Sequence, residues 1–123
     1  MSSEYPEELR YSEEHEWIDP NTGWMGITDY AQQQLGDIVF VDLPAVETTV
    51  QADESILIVE SVKSVSDVYS PASGTIKEVN SDLESAPENV NQDPYEDGRL
   101  VQLQTDSIPD TLMTAEEYQD FIS

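Results

Sequence analysis

The side chains that could perform covalent chemistry are few in this sequence. There is one histidine, His15, and no cysteine, so nucleophilic catalysis of the Ser-His-Asp kind would depend on His15 alone. Its neighbours are Glu14 and Glu16, and a structural or surface histidine is the simpler interpretation. The five glycines form no phosphate-binding loop, and the acidic residues do not follow the spacing of an EF-hand. We therefore expect no catalytic residue and no metal site.

Lysine is also scarce, and the position of one lysine is unusual. No Lys or Arg lies between Tyr11 and Val62, and Lys63 then stands between the near-identical pairs Ser61-Val62 and Ser64-Val65. It falls between two predicted strands, so its side chain is expected at the tip of a hairpin. The turn contains no Gly, Asn, Asp or Pro, and such a departure from local preference often marks a site. On these residues alone, a solvated surface lysine remains the simpler interpretation.

The elements that must position Lys63 are short and frequently interrupted, which predicts a mainly β fold. Residues 16–18 and 24–27 are predicted as a hairpin, followed by a short helix that Thr28 caps and Gly36 ends. Strands are predicted over residues 38–43, 55–60, 64–69 and 75–80, as a four-stranded meander, and over 100–104. The stretch 81–98 is predicted as a surface loop with at most one helical turn near 86–89. A capping box of Thr114 and Glu117 predicts a C-terminal helix over about 114–122.

The length and the charge of the chain restrict its class. We interpret the 123 residues as a single domain over 1–123. The sequence has 27 Asp and Glu but only 4 Lys and Arg, a formal net charge of −23 at pH 7. This imbalance excludes a nucleic-acid binder of the basic kind and argues against attachment to an anionic membrane. No segment is long and apolar enough to span a bilayer and no export signal is evident, so a soluble chain is expected.

The acidic residues are spread along the whole chain. No more than two are consecutive, which indicates an acidic surface and not an acidic tail. Two interpretations remain open. The charge is either a solvated surface that maintains solubility, or an adaptation to high salt, where screening removes the self-repulsion of the carboxylates. The second interpretation predicts a melting temperature that rises from low to molar KCl.

Several segments resemble the H proteins of the glycine cleavage system. The run Glu60-Ser61-Val62-Lys63-Ser64, followed by residues 66–71 and Ser73-Gly74, resembles their lipoyl-attachment loop. Similar segments lie on both sides in the expected order and extend the resemblance over essentially the whole chain: Tyr11-Ser12, His15-Glu16-Trp17, residues 26–32, 35–37 and 39–44, Val90-Asn91 and residues 94–98.

This resemblance implies a lipoyl-domain-like barrel-sandwich hybrid, with two small antiparallel sheets, short peripheral helices and a C-terminal helix. It implies that Lys63 carries lipoate through an amide on its Nζ atom. The flanking residues Val62 and Ser64 differ from the Met-Lys-Met tip of the related biotin carriers, which favours lipoate. The chain would then be a carrier and not an enzyme.

The same resemblance implies a set of partners. The lipoyl-lysine side chain, called the arm below, would accept an aminomethyl group from a pyridoxal-phosphate glycine decarboxylase. It would deliver this group to a tetrahydrofolate-dependent aminomethyltransferase. A dihydrolipoamide dehydrogenase would reoxidise it, and a lipoate ligase or a lipoyl or octanoyl transferase would attach it. A monomer is expected, in the cytoplasm of a prokaryote or in the mitochondrial matrix if a transit peptide was removed.

Four carboxylates are candidates for roles around the arm. The resemblance places Glu14, Glu16 and Asp67 along the cleft that receives it, where carboxylates could hold the cationic aminomethyl group away from water. Each of them could equally be a solvated surface acid. Glu60, three residues before Lys63, is expected to help the lipoate-attaching enzyme recognise the tip. The change Glu16→Ala is expected to shorten the lifetime of the loaded arm without affecting lipoylation.

Two segments depart from the family pattern, and two other functions remain open. Arg99 stands where a Trp usually follows Gly98, and residues 50–54 lack the glycine that commonly precedes the central strand. The alternative functions are a relay protein that supplies lipoate to dehydrogenase complexes and a non-lipoylated interaction module. Reconstitution of glycine cleavage activity tests the first alternative, and an intact mass tests the second.

Overall fold

The computed structural model describes residues 5–123, in which nine strands form two antiparallel sheets. The larger sheet has the order β1-β2-β3-β9-β8-β5, and the smaller has the order β4-β6-β7. The strands are β1 (Arg10–Tyr11), β2 (Glu16–Ile18), β3 (Trp24–Ile27), β4 (Ile38–Asp42), β5 (Thr49–Val50), β6 (Ser55–Ser61), β7 (Val65–Tyr69), β8 (Gly74–Val79) and β9 (Val101–Gln104). The helices are α1 (Asp29–Leu35), α2 (Asn89–Gln92) and α3 (Ala115–Ile122), with a 3-10 turn over Ser81–Glu84. The predicted mainly β fold with two sheets, short helices and a C-terminal helix is confirmed.

The predicted four-stranded meander is wrong, because its fourth strand belongs to the other sheet. Strands β4, β6 and β7 pair in succession, but β8 pairs with β9 and β5. The chain changes sheet after β7, where Ser70 and Ala72 are buried and the Ser70 hydroxyl donates to the Ala72 carbonyl oxygen at 2.6 Å. The strands β1 and β5 were not predicted, since two residues are too few to display an alternating pattern.

The segment 81–98 is more ordered than the predicted loop. It contains the 3-10 turn and then α2, which begins where the single predicted turn near 86–89 ends. Each of the two turns places one apolar side chain in the core, Leu83 and Val90, and both are fully buried. A single buried residue per turn produces no periodic pattern in the sequence, which is why the prediction failed.

The core fills the space between the two sheets. Its residues come from both of them and include Val41, Val59, Val68, Ile76 and Val101. A second cluster holds α3 against β1, where the Tyr118 and Tyr11 rings stack with centroids 4.9 Å apart. The predicted capping box of Thr114 and Glu117 is present at the start of α3. No helix in the described part of the chain has the length and hydrophobicity to cross a membrane.

The two departures from the family pattern are accommodated locally. Asp53 has a φ of 71°, the left-handed conformation that a glycine would adopt easily and that Asp tolerates better than most residues. Its amide donates to the Ser70 carbonyl oxygen at 2.7 Å. The Arg99 guanidinium lies 4.5 Å from the centroid of the Trp24 ring, in the geometry of a cation–π contact.

Candidate functional site

Lys63 lies at the tip of the hairpin that joins β6 to β7, as predicted from its flanks. The Ser61 amide donates to the Ser64 carbonyl oxygen at 2.8 Å and closes a loop of two residues, Val62 and Lys63. The lysine is exposed, and Val62 and Val65 beside it are 66% and 67% exposed. The primary amine is therefore presented to solvent among apolar side chains, where an enzyme could reach it.

The Ser61 hydroxyl supplies the turn chemistry that the sequence lacks. Its oxygen accepts hydrogen bonds from the Lys63 and Ser64 amides, both at 3.1 Å. Neither Val62 nor Lys63 has a positive φ, so the turn is neither of the primed types that require Gly or Asn. This role of Ser61 was not predicted from the sequence, although a Ser that precedes two turn residues is a known, weak signal.

The tip rests on the connection between α1 and β4. The Val62 amide donates to the Asp37 carbonyl oxygen at 3.0 Å. The Cε atom of Lys63 lies 3.3 Å from the place that a Cβ atom on residue 36 would occupy. Gly36 ends α1 with a φ of 82°, which favours glycine. The absent side chain thus leaves a notch over which the methylene groups of Lys63 lie.

Glu16 is buried between the two sheets and is only 2% exposed. One carboxylate oxygen accepts from the Ser12 hydroxyl at 2.6 Å, and the other accepts from the Tyr69 amide at 3.0 Å. Burial raises the pKa of Glu16 from its ordinary value of 4.5 to about 7, although these two hydrogen bonds oppose the shift. The negative charges of Glu14 and Asp53 add to the increase. Glu16 therefore joins β2 to the end of β7, two residues beyond Asp67.

The other two candidate carboxylates on strands, Glu60 and Asp67, lie on the outer face of the small sheet. Glu60 is half-buried and pairs across the strands with Phe40 on one side and Val65 on the other. Asp67 is exposed, and one of its carboxylate oxygens accepts from the Ser55 hydroxyl at 2.8 Å. Since alternate residues of a strand share a face, Val65 and Asp67 both point outward from β7. This face combines exposed apolar and acidic side chains directly beside the tip.

Glu14 and His15 lie in the turn between β1 and β2. Glu14 is exposed, whereas His15 is half-buried with a φ of 73°. The Nδ1 atom of His15 is 2.7 Å from the Tyr118 hydroxyl, and its ring contacts Tyr30 with centroids 4.8 Å apart. Burial lowers the pKa of His15, and Glu14 opposes this effect. These contacts hold the turn against α1 and α3, which agrees with the structural interpretation of the only histidine.

The acidic surface is not neutralised internally. Within residues 5–123 no Lys or Arg side chain forms an ion pair with a carboxylate, and no group of three or more potential ligands is arranged to hold a metal ion. Arg10 and Arg99 donate instead to main-chain carbonyl oxygens, those of Leu9 and Glu96. The exposed carboxylates of the described part of the chain are therefore not neutralised by its own Lys and Arg side chains.

Comparisons with known proteins agree on one family. The family model described as glycine cleavage H-protein matches residues 9–123. A glycine cleavage system H protein of Coprothermobacter proteolyticus is 52% identical over 94% of this chain and 95% of the relative. A probable H protein of Natronomonas pharaonis is 47% identical over 97% of each chain. The crystal structure of an H protein from Mycobacterium marinum superposes with a TM-score of 0.88 at 42% identity, and the match covers 95% of this chain and 98% of that one.

Proposed function

Because this chain belongs to the glycine cleavage H-protein family, we propose that it carries lipoate on Lys63 and presents it in turn to the enzymes of that system. The observation that carries the proposal is the position of Lys63, exposed at the tip of a tight hairpin. A lysine at such a tip can be inserted into the active site of an attaching enzyme without unfolding of either strand. The only other lysine, Lys77, lies on β8 and not at a tip.

The surroundings of Lys63 fit a covalently attached acyl chain. The lysine methylene groups already lie over the notch at Gly36, and Val62 and Val65 present apolar surface at the tip. When bound as an amide, lipoate supplies a dithiolane whose sulfur accepts and releases the aminomethyl group of the glycine cleavage reaction. Tethering keeps this group at a high local concentration near each enzyme in succession.

The carboxylates have different proposed roles. Asp67 is exposed on the outer face beside the tip, and Glu14 is exposed in the turn between β1 and β2. Both would attract a cationic group carried by the arm. Glu16 would act indirectly, by positioning Asp67. It accepts a hydrogen bond from the Tyr69 amide and so holds the end of the strand that carries Asp67. Glu60, between Phe40 and Val65 on the outer face, would be read by the enzyme that attaches lipoate.

The proposal is tested by reconstitution with the three partner enzymes that the resemblance implies: glycine decarboxylase, aminomethyltransferase and dihydrolipoamide dehydrogenase. The wild type is lipoylated with a lipoate ligase and assayed for glycine-dependent reduction of the electron acceptor of the dehydrogenase. The change Lys63→Arg keeps the positive charge but cannot form the amide, and Lys77→Arg is the matched control. We expect activity from the wild type and Lys77→Arg, and none from Lys63→Arg.

Two results would overturn the proposal. Equal activity of Lys63→Arg and Lys77→Arg would show that Lys63 is not the attachment site. A lipoylated wild type that supports no glycine cleavage would exclude the carrier role in this system and favour the relay function.

A further inference from the structure

We propose that Asn91 is a positioning residue for the Lys63 tip, although it lies in a different part of the chain and its side chain bonds to Gln32, Gly36 and Ile38 instead. The inference rests on the proposed function of Lys63. The Asn91 side chain uses its donor and acceptor groups on α1 and on the segment that follows it. Its Nδ2 atom donates to the Gln32 Oε1 atom and to the Gly36 carbonyl oxygen, both at 2.9 Å. Its Oδ1 atom accepts from the Ile38 amide at 2.8 Å.

Two of these hydrogen bonds fix the short segment from Gly36 to Ile38, and the third ties Asn91 to Gln32 in the last part of α1. Gly36 provides the notch under the Lys63 methylene groups. Asp37, between the two bonded residues, accepts the hydrogen bond from the Val62 amide. The floor of the notch and the anchor of the tip are therefore held by one amide side chain. A single main-chain hydrogen bond from Val62 is the connection through which Asn91 acts on the tip.

The platform that carries Asn91 is itself firmly held. The preceding residue, Val90, is fully buried in the core. Pro94 accepts a hydrogen bond from the Trp17 indole at 3.1 Å, and the Tyr95 hydroxyl accepts from the Asp29 amide at 2.9 Å. Residues 91–95 are thus hydrogen-bonded to both ends of α1, at Asp29 and at Gly36. A side chain on such a platform can hold the tip in one direction, as a binding site on a rigid element does.

The consequence is a defined starting direction for the arm. A tip whose anchor is loose samples more orientations, and only a fraction of them suits an enzyme that must receive Lys63 in its active site. The apparent affinity of that enzyme falls by the same fraction. Loss of Asn91 is therefore expected to raise KM for lipoate attachment while kcat, set by the enzyme's own chemistry, stays close to its original value.

The test compares Asn91→Ala with Asn80→Ala in the intact, unmodified chain. Asn80 is a matched control because its Nδ2 atom also donates to two main-chain oxygens, those of Asp97 and Arg99, both at 2.8 Å. Hydrogen exchange of the Val62 amide is followed by NMR, with the Ile76 and Leu103 amides of the large sheet as internal references. Attachment kinetics are then measured with a lipoate ligase. The variant Asn91→Asp, which keeps the acceptor but replaces the donor, serves as the second perturbation.

We expect Asn91→Ala to accelerate exchange of the Val62 amide roughly tenfold or more, because several hydrogen bonds are lost. The Ile76 and Leu103 reference amides should exchange at the same rate as in Asn80→Ala. Its KM for attachment should rise several-fold. Equal exchange at Val62 in the two Ala variants, or a change in kcat alone, would overturn the proposal. If Asn91→Ala does not fold, unchanged Val62 exchange in Asn91→Asp would overturn it. The exchange measurement needs no lipoate, so its failure is distinct from a failure of lipoylation in the wild type.

Discussion

The buried carboxyl group of Glu16 predicts a pH dependence of stability that can be removed by one substitution. Its pKa is about 7 in the folded chain because burial disfavours the charged form. In the unfolded chain the group returns to its ordinary value of 4.5. Between these two values the folded state binds the extra proton, so the free energy of unfolding falls as the pH rises. The stabilisation is complete below pH 4.5 and is lost as the pH passes through 7.

The magnitude follows from the difference between the two pKa values. A shift from 4.5 to about 7 corresponds to about 3 kcal/mol over the whole window, at about 1.4 kcal/mol for each pH unit. About 2 kcal/mol of this is lost between pH 5.5 and 8. In a chain of this size that loss lowers the melting temperature by roughly 5–10 °C. The lowered pKa of His15 has the opposite effect: below pH 6.5 it makes the free energy of unfolding rise with pH. This contribution is shared by the wild type and the variant.

The assay is urea unfolding of wild type and Glu16→Gln at pH 5.5 and pH 8 in a constant concentration of KCl. Gln mimics the protonated carboxyl group and keeps one oxygen for the Tyr69 amide. We expect the two proteins to have similar stability at pH 5.5, and the variant to be more stable by about 2 kcal/mol at pH 8. Glu14→Gln removes the same charge from an exposed neighbour and should not reproduce the effect. The same pH dependence in wild type and Glu16→Gln would refute the argument.

Three further predictions follow from other parts of the molecule. The melting temperature should rise from low to molar KCl, because salt screens the mutual repulsion of the carboxylates that give the chain its net charge of −23. A melting temperature that stays constant or falls would exclude this effect of screening. The change Gly98→Ala should lower the free energy of unfolding by about 2 kcal/mol or more, because the new Cβ atom would lie 2.5 Å from the Asn89 carbonyl oxygen. An unchanged midpoint of urea unfolding would disprove this clash. The change Ser61→Ala should speed exchange of the Lys63 and Ser64 amides, which lose their acceptor, whereas Ser64→Ala should not; equal exchange in both would show that the hydroxyl does not build the turn.

Local patterns predicted much of what presents Lys63. The hairpin tip followed from two short strands separated by paired Ser-Val flanks, and the cap at Thr28 and the stop at Gly36 followed from local residue preferences. Such features depend on neighbours within four residues. The resemblance to H proteins added the family and the expected modification, which the spacing of residues alone could not provide.

Long-range contacts could not be predicted in the same way. Asn91 bonds to Ile38, which lies 53 positions away, and Glu16 bonds to the Tyr69 amide across the same separation. The sequence around Asn91 has one buried apolar residue, Val90, and therefore no periodicity that would indicate a packed segment. The burial of Glu16 could not be predicted from the sequence either, since an acidic residue that alternates with apolar residues is expected to face solvent.

The proposed function depends on Lys63 as the site of a single covalent lipoyl group. The most direct test is the intact mass of the protein isolated from its native source, followed by fragmentation that locates the modification. We expect a mass increased by one lipoyl group, located on Lys63. An unmodified mass, or a lipoyl group on Lys77, would contradict it.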